Sequence, residues 1–174
     1  MGGNMRRVLL GSLLLLGFGV PLASAAEKIA VVDIQRVIFT SNVAKVRQKQ
    51  LQSEQEFVEL QAKYDSISSE VKALQKKIEA ERDTMSRDQA AENQKKMEYL
   101  RADYELVARK LQAEVQQLQG KIMEELQPQV QAALKELVEA EGVTLLLQRE
   151  AVIFAAPTMD LTSKLLERLN AKTK

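Results

Sequence analysis

Between Phe57 and Ile78 the apolar residues Phe57, Leu60, Tyr64, Ile67, Val71, Leu74 and Ile78 recur at intervals of 3, 4, 3, 4, 3 and 4. This is the a/d stripe of a coiled-coil helix, and a stripe that narrow is covered only by a second helix. The chain supplies one. Met97, Leu100, Tyr104, Val107 and Leu111 repeat the pattern, after which Val115, Leu118, Ile122, Leu126, Val130 and Leu134 drift towards steps of four, which locally unwind a left-handed supercoil. On the shoulder of the first stripe Glu56, Lys63, Glu70 and Lys77 alternate in sign, as coiled-coil flanks do. Between the stripes, Asp83-Thr84-Met85-Ser86 supplies turn formers, and Ser86 with Gln89 matches a capping box.

The expectation is an antiparallel hairpin with its tip at residues 83–88. A turn centred near Met85 sets Leu74 opposite Met97, Val71 opposite Leu100, Ile67 opposite Tyr104 and Tyr64 opposite Val107. Two helices of about 40 residues reach about 60 Å, far more than a compact domain of this length needs. Extended towards the N-terminus, the first stripe takes in Val43 and Val46, then is diluted by Gln50 and Ser53. The helix is expected to continue there with weaker pairing, so that the arm can flex.

Little interrupts these helices. The 174-residue chain has seven glycines and three prolines, yet after residue 25 only Gly120, Gly142, Pro128 and Pro157 remain. Pro128 should kink the second helix or mark its entry into a body, and Gly142 is placed as a C-cap. Cysteine and histidine are absent altogether, which removes disulfides, thiol chemistry, Ser-His-Asp devices and the usual zinc ligands. No P-loop or GxGxxG follows residue 25. An enzyme is not expected, and no cofactor, metal or nucleic-acid partner either.

The first 25 residues read as a secretory signal peptide: Arg6 and Arg7, an apolar run from Val8 to Val20, and the A-x-A box Ala23-Ser24-Ala25. Its removal leaves 23 basic against 24 acidic groups, a nearly neutral exported chain. Export without cysteine points to the periplasm of a Gram-negative bacterium.

The remaining segments form a body from residues 26–42 and 128–174, with residues 43–127 as the arm. Lys28 to Asp33 reads as a strand and Ile34 to Thr40 as a helical turn, with Ser41 or Asn42 capping the next helix. Val143 to Gln148 and Ala151 to Ala156 read as two further strands, a hairpin around Arg149-Glu150, and Met159 to Leu169 as a short amphipathic helix. The fold class is thus α+β, mostly α, with a helical arm on a three-stranded body. Such a sheet, apolar on both faces, cannot close a core alone. An oligomer is expected, held through Val31, Leu145, Leu147, Ile153 and Phe154.

Lys28-Ile-Ala-Val-Val-Asp-Ile-Gln-Arg36 and Ala151-Val-Ile-Phe-Ala-Ala-Pro-Thr-Met-Asp-Leu-Thr162, with the long helices between them, resemble the Skp/OmpH family of periplasmic chaperones. The resemblance implies a homotrimer whose strands build a shared small barrel. It also implies arms around a cavity that holds unfolded outer-membrane β-barrel proteins without ATP. Family members are often strongly basic, with lipopolysaccharide or anionic lipid bound at positive tips. Here Lys76, Lys77, Arg82, Arg87, Lys95 and Lys96 are interspersed with acids, a weak patch that puts lipid binding in doubt.

The stripes themselves are read as hairpin packing. Met85 at the tip and Tyr99 off the stripe are the candidates for client contact, because exposed methionine and tyrosine adapt to many partners. Asp33 and Asp160 could pass for a catalytic carboxylate pair, but helix capping accounts for an acid beside a helix start. The competing functional reading is a passive coiled-coil or envelope scaffold without clients. An efflux-type adaptor would need many more strands.

Overall fold

The computed structural model describes residues 27–173; the leader expected at residues 1–25 lies outside them. Strand β1 (Ile29–Val32) leads through helix α1 (Ile34–Thr40) into α2 (Asn42–Ser53), α3 (Gln55–Ala80) and the 55-residue α4 (Arg87–Glu141). Strand β2 (Leu145–Gln148), two single 3-10 turns and α5 (Thr162–Lys172) complete the chain.

The arm is α3 against the first part of α4, and every predicted stripe position from Phe57 to Ile78 and from Met97 to Leu111 is buried or half-buried. The tip cap is as expected: Ser86 Oγ accepts from the Gln89 amide at 3.2 Å, and the Gln89 side chain accepts from the Ser86 amide at 2.9 Å. Gly142 closes α4 at φ 62°, the left-handed conformation that glycine adopts without steric cost.

At the tyrosine layers the pairing departs from expectation, which set Tyr64 opposite Val107 and Tyr104 opposite Ile67. Tyr64 stacks on Tyr104, with ring centroids 4.7 Å apart, and their hydroxyls hydrogen-bond to each other. Facing Val107 instead, Tyr64 would leave its hydroxyl in an aliphatic seam without a partner; a second tyrosine satisfies both. Nearer the body, Arg47 makes a two-point contact with Glu125, Nε to Oε2 and Nη2 to Oε1 at 3.1 Å each, within one residue of the expected register.

The limb before Phe57 is not continuous. Helix α2 ends at Ser53, whose hydroxyl donates to the Gln50 carbonyl at 2.8 Å, and Glu54 is extended, with ψ 131°, before α3 begins. Gln50 and Ser53 bury nothing that would hold the helix straight, and a serine side chain competes for backbone groups. Val46, placed in the stripe by extrapolation, is 53% exposed; α2 instead turns Val43, Ala44 and Leu51 inward.

In the body, α4 runs without interruption through Pro128, between the buried Leu126 and Val130. From Ile122 onward it contributes Leu126, Ala133 and Leu137 to a core with Val37 and Ile38 of α1 and Leu165 and Leu169 of α5. A core therefore closes within one chain, through α1 and α4, where the strands and terminal helix alone were expected to fall short and to need a partner chain.

The sheet has two strands, not three. Strands β1 and β2 pair in parallel, Ile29 with Leu145 through Val32 with Gln148, and the predicted strand at Ala151 to Ala156 does not form. A tight antiparallel hairpin needs positive φ in its loop. Arg149-Glu150 contains no glycine or asparagine, and among the described residues only Gly142 has positive φ. Residues Arg149–Ala151 make a 3-10 turn instead and carry the chain away from β2.

Gly120 lies on α4 near the level of the Glu54 break, and a Cβ there would meet nothing within 4 Å. Glycine in a helix interior costs about 1 kcal/mol relative to alanine. Gly120→Ala is therefore expected to raise the free energy of unfolding by about that amount in urea titration; a loss of stability would contradict an open site.

Candidate functional site

Two regions present chemistry to the outside: the uncovered side of the body and the end of the arm. In the parallel sheet, alternation sends Ala30, Val32 and Leu146 to the core, and Ile29, Val31, Leu145 and Leu147 to the other face. Of this second group Val31 is buried within its own chain and Leu147 is half-buried, while Ile29 and Leu145 are 40% and 48% exposed. Beside them, Ile153 and Phe154 are 106% and 80% exposed. Parallel sheets are ordinarily covered on both faces. Here one face is covered only in part, and the apolar surface that remains comes from Ile29, Leu145, Ile153 and Phe154.

The carboxylates Asp33 and Asp160 are both engaged with backbone amides at helix starts, Asp33 as the N-cap of α1 and Asp160 one residue before the N-cap position of α5. Asp33 accepts from the Arg36 amide at 2.8 Å at the start of α1, and Asp160 accepts from the Thr162 amide at 2.9 Å at the start of α5. Thr162 also receives the Asp33 amide on its hydroxyl, at 3.0 Å. Partial burial opposes ionisation of Asp160, but hydrogen bonding by Thr162, with Arg149 and Arg36 nearby, outweighs it and lowers its pKa. Through Thr162 the end of β1 is tied to α5, and the Leu161 amide, donating to the Val31 carbonyl at 2.9 Å, completes the junction.

At the end of the arm the predicted client residues are separated. Met85 is half-buried, folded between α3 and α4, where its sulfur accepts from Asn93 Nδ2 at 3.4 Å. Tyr99 is 63% exposed on another face of α4, with Lys95 Nζ 5.9 Å from its ring centroid. Lys76, Lys77, Arg82, Arg87, Lys95 and Lys96 are all exposed, and none takes part in an ion pair among the described residues. They ring the tip without converging.

Around Met85 lies an open cavity of about 520 Å³, with Ile78, Ala90 and Met97 on its apolar side and Gln75, Asn93 and Gln94 presenting amides. A second cavity of about 310 Å³ shares Gln75 and Arg101 with it and continues to Val71, Lys72 and Tyr104. Sequence reasoning singled out only Met85 here. The polar members flank the stripe on both helices, and they converge only once the hairpin register is fixed.

The charged junction of the body also went unnoticed. Glu141, in the last turn of α4, accepts from Lys164 Nζ at 2.6 Å and from Lys28 Nζ at 3.0 Å, and Lys28 also reaches the Glu141 carbonyl at 2.8 Å. Cations at a helix C-terminus are favourable in themselves. No spacing rule connects three residues so far apart in sequence.

The fold thus defines a class: a long antiparallel helical hairpin carried by a small parallel-sheet body. The model of OmpH-like outer membrane proteins matches residues 28–169, and the chain belongs to that family. A Skp-like protein of Pseudomonas aeruginosa is 25% identical over 150 residues, covering 86% of this chain and 88% of the relative. A crystal structure from Caulobacter crescentus, described as that of an OmpH-like outer membrane chaperone, is 22% identical, with a TM-score of 0.48 over 90% of this chain and 92% of the other.

The two lysines beside Glu141 lower its pKa to about 2, through the hydrogen bonds from Lys164 first and Lys28 second. A carboxylate with a depressed folded-state pKa stabilises fully above its ordinary value and loses that contribution as it becomes protonated. Wild type should therefore exceed Glu141→Gln in urea midpoint at pH 7. The difference should shrink as pH falls below about 4.5 and vanish near pH 2; a difference that persisted at pH 2 would place the effect elsewhere.

Proposed function

We propose that the protein is an ATP-independent holdase of the periplasm, which keeps exported, unfolded outer-membrane β-barrel proteins soluble between the arms of a homotrimer. The observation that carries this reading is the arm of an OmpH-like chain. The 55 residues of α4 extend about 80 Å, yet α4 enters the body core only from Leu118 onward. The rest of its length, with α3, buries one narrow seam. Helices of that reach enclose space, and enclosure suits a client that has no fold of its own to recognise.

Three copies would also account for the body. Ile29, Leu145, Ile153 and Phe154 give each chain an apolar surface to share, and β2 has an edge on which another strand can pair. Covering these residues brings the expected oligomer into the body and leaves the arms free. Near-neutral charge with interspersed signs means that capture relies little on long-range attraction.

The test dilutes a urea-denatured outer-membrane β-barrel protein into buffer without nucleotide, with and without a stoichiometric excess of the purified protein. Light scattering should be suppressed, and protection should weaken only modestly between low and physiological salt. Unchanged scattering would leave a passive coiled coil in its place. Separately, Phe154→Asp should shift the sedimenting species from trimer to monomer, whereas Tyr99→Asp, at a distance from the body, should leave the trimer intact. A trimer unaffected by Phe154→Asp would move the interface away from this surface.

A further inference from the structure

The two cavities along the arm share Gln75 and Arg101 and form one trough on a single face of the α3–α4 hairpin. Its members on α4 run from Ala90 to Tyr104, about 21 Å of helix, the length of about six residues of extended polypeptide. The two ends differ in chemistry. Towards the tip, Met85 with Met97 and Ile78 line a soft apolar floor, which methionine reshapes at little cost. Towards the body, Lys72 and Arg101 face the trough beside Val71 and Tyr104, and neither cation has a carboxylate within ion-pair distance. The acids that line the trough, Glu79 and Glu98, belong to the tip end.

The amides supply the third element. Asn93 spends its N–H on the Met85 sulfur, a weak acceptor, at 3.4 Å, and Gln94 reaches Glu98 only at 3.4 Å. A peptide carbonyl is a stronger acceptor than the Met85 sulfur, and the Gln94 contact is long and exposed, so both amides can be turned to backbone hydrogen bonds.

We propose that this trough is a subsite for an extended segment of unfolded polypeptide. An apolar side chain of the segment settles on Met85 and Met97, its backbone meets the amides of Gln75, Asn93 and Gln94, and an acidic side chain nearer the body reaches Lys72 and Arg101. The proposal rests on the holdase reading and adds to it a side of the arm and a preferred pattern, apolar then acidic. Tyr99, on another face, plays no part in it.

The experiment places the photo-crosslinking residue p-benzoylphenylalanine at Gln94, in the trough, or at Lys96, on the same helix but outside it. Each full-length variant receives a urea-denatured outer-membrane β-barrel protein by dilution, followed by irradiation. The expected result is strong adduct formation from position 94 and little from position 96. In the Lys72→Glu/Arg101→Glu background the yield from 94 should fall about fivefold or more, with helix content by circular dichroism unchanged because both residues are exposed. Equal yields from the two positions, or a yield indifferent to the charge reversal, would overturn the trough. Scattering suppressed by the unmodified protein without adduct at 94 would overturn the trough and leave the holdase standing. Failure of the unmodified protein to suppress scattering would remove both.

Discussion

Parallel pairing of β1 with β2 is the constraint on which the remaining structure depends. Two strands that run the same way cannot be joined by a tight turn, so everything between Val32 and Leu145 has to leave the sheet at one end and come back to the other, where Leu145 lies beside Ile29. In most α/β folds a single helix makes that return. Here the crossover is the whole arm: outward through α2 and α3, around the Ser86 cap, and home along α4. A hairpin covers its own narrow stripe at any length, because each added heptad on one limb brings its partner on the other. Arm length is therefore decoupled from the body, which needs only the last turns of α4 to complete its core.

That separation explains what the sequence disclosed. The arm was legible because its stability is local and periodic: the stripe, the turn formers and the capping box each state their structure within a few residues. Gly142 was legible for the same reason. The strand predicted at Ala151 to Ala156 was not, because an apolar β-branched run looks the same whether it pairs inside the chain or faces outward. Only the turn chemistry of Arg149-Glu150 tells against a hairpin. Val46 failed by extrapolation, since the stripe was carried across Gln50 and Ser53 as though the helix did not break at Glu54. Tyr64 and Tyr104 show a finer limit, for heptad spacing fixes which faces meet, while the hydroxyls decide which layers pair.

The candidate site was less legible than the fold. Met85 could be singled out as a tip methionine, but Gln75, Asn93, Gln94, Lys72 and Arg101 carry no signal one by one. Each is an ordinary polar residue beside the stripe, and they become neighbours only through the antiparallel register. The Lys28, Glu141 and Lys164 junction is of the same kind, built from the first described residues, the end of α4 and the start of α5. Sequence periodicity reports what an element does for itself; sites between elements depend on topology.

The thinness of the arm follows from the same physics and bears on its use. Among the stripe residues of the arm, Phe57 to Ile78 and Met97 to Leu111, only Ile67, Leu74, Met97 and Val107 are buried, and the intervening layers are half-open. Few apolar contacts and many solvent-facing backbone hydrogen bonds put a segment at the low end of local stability. In an enzyme that would be a defect, because reacting groups have to be held within fractions of an ångström. For a surface that meets many unfolded segments the demand is reversed: shallow apolar relief, methionine in place of rigid aromatics, and amides whose own bonds are weak enough to be exchanged. A thicker hairpin would spend its apolar residues on itself. The narrow seam leaves Met85 half-open and the flanking amides in reach of solvent, where an unfolded chain can meet them.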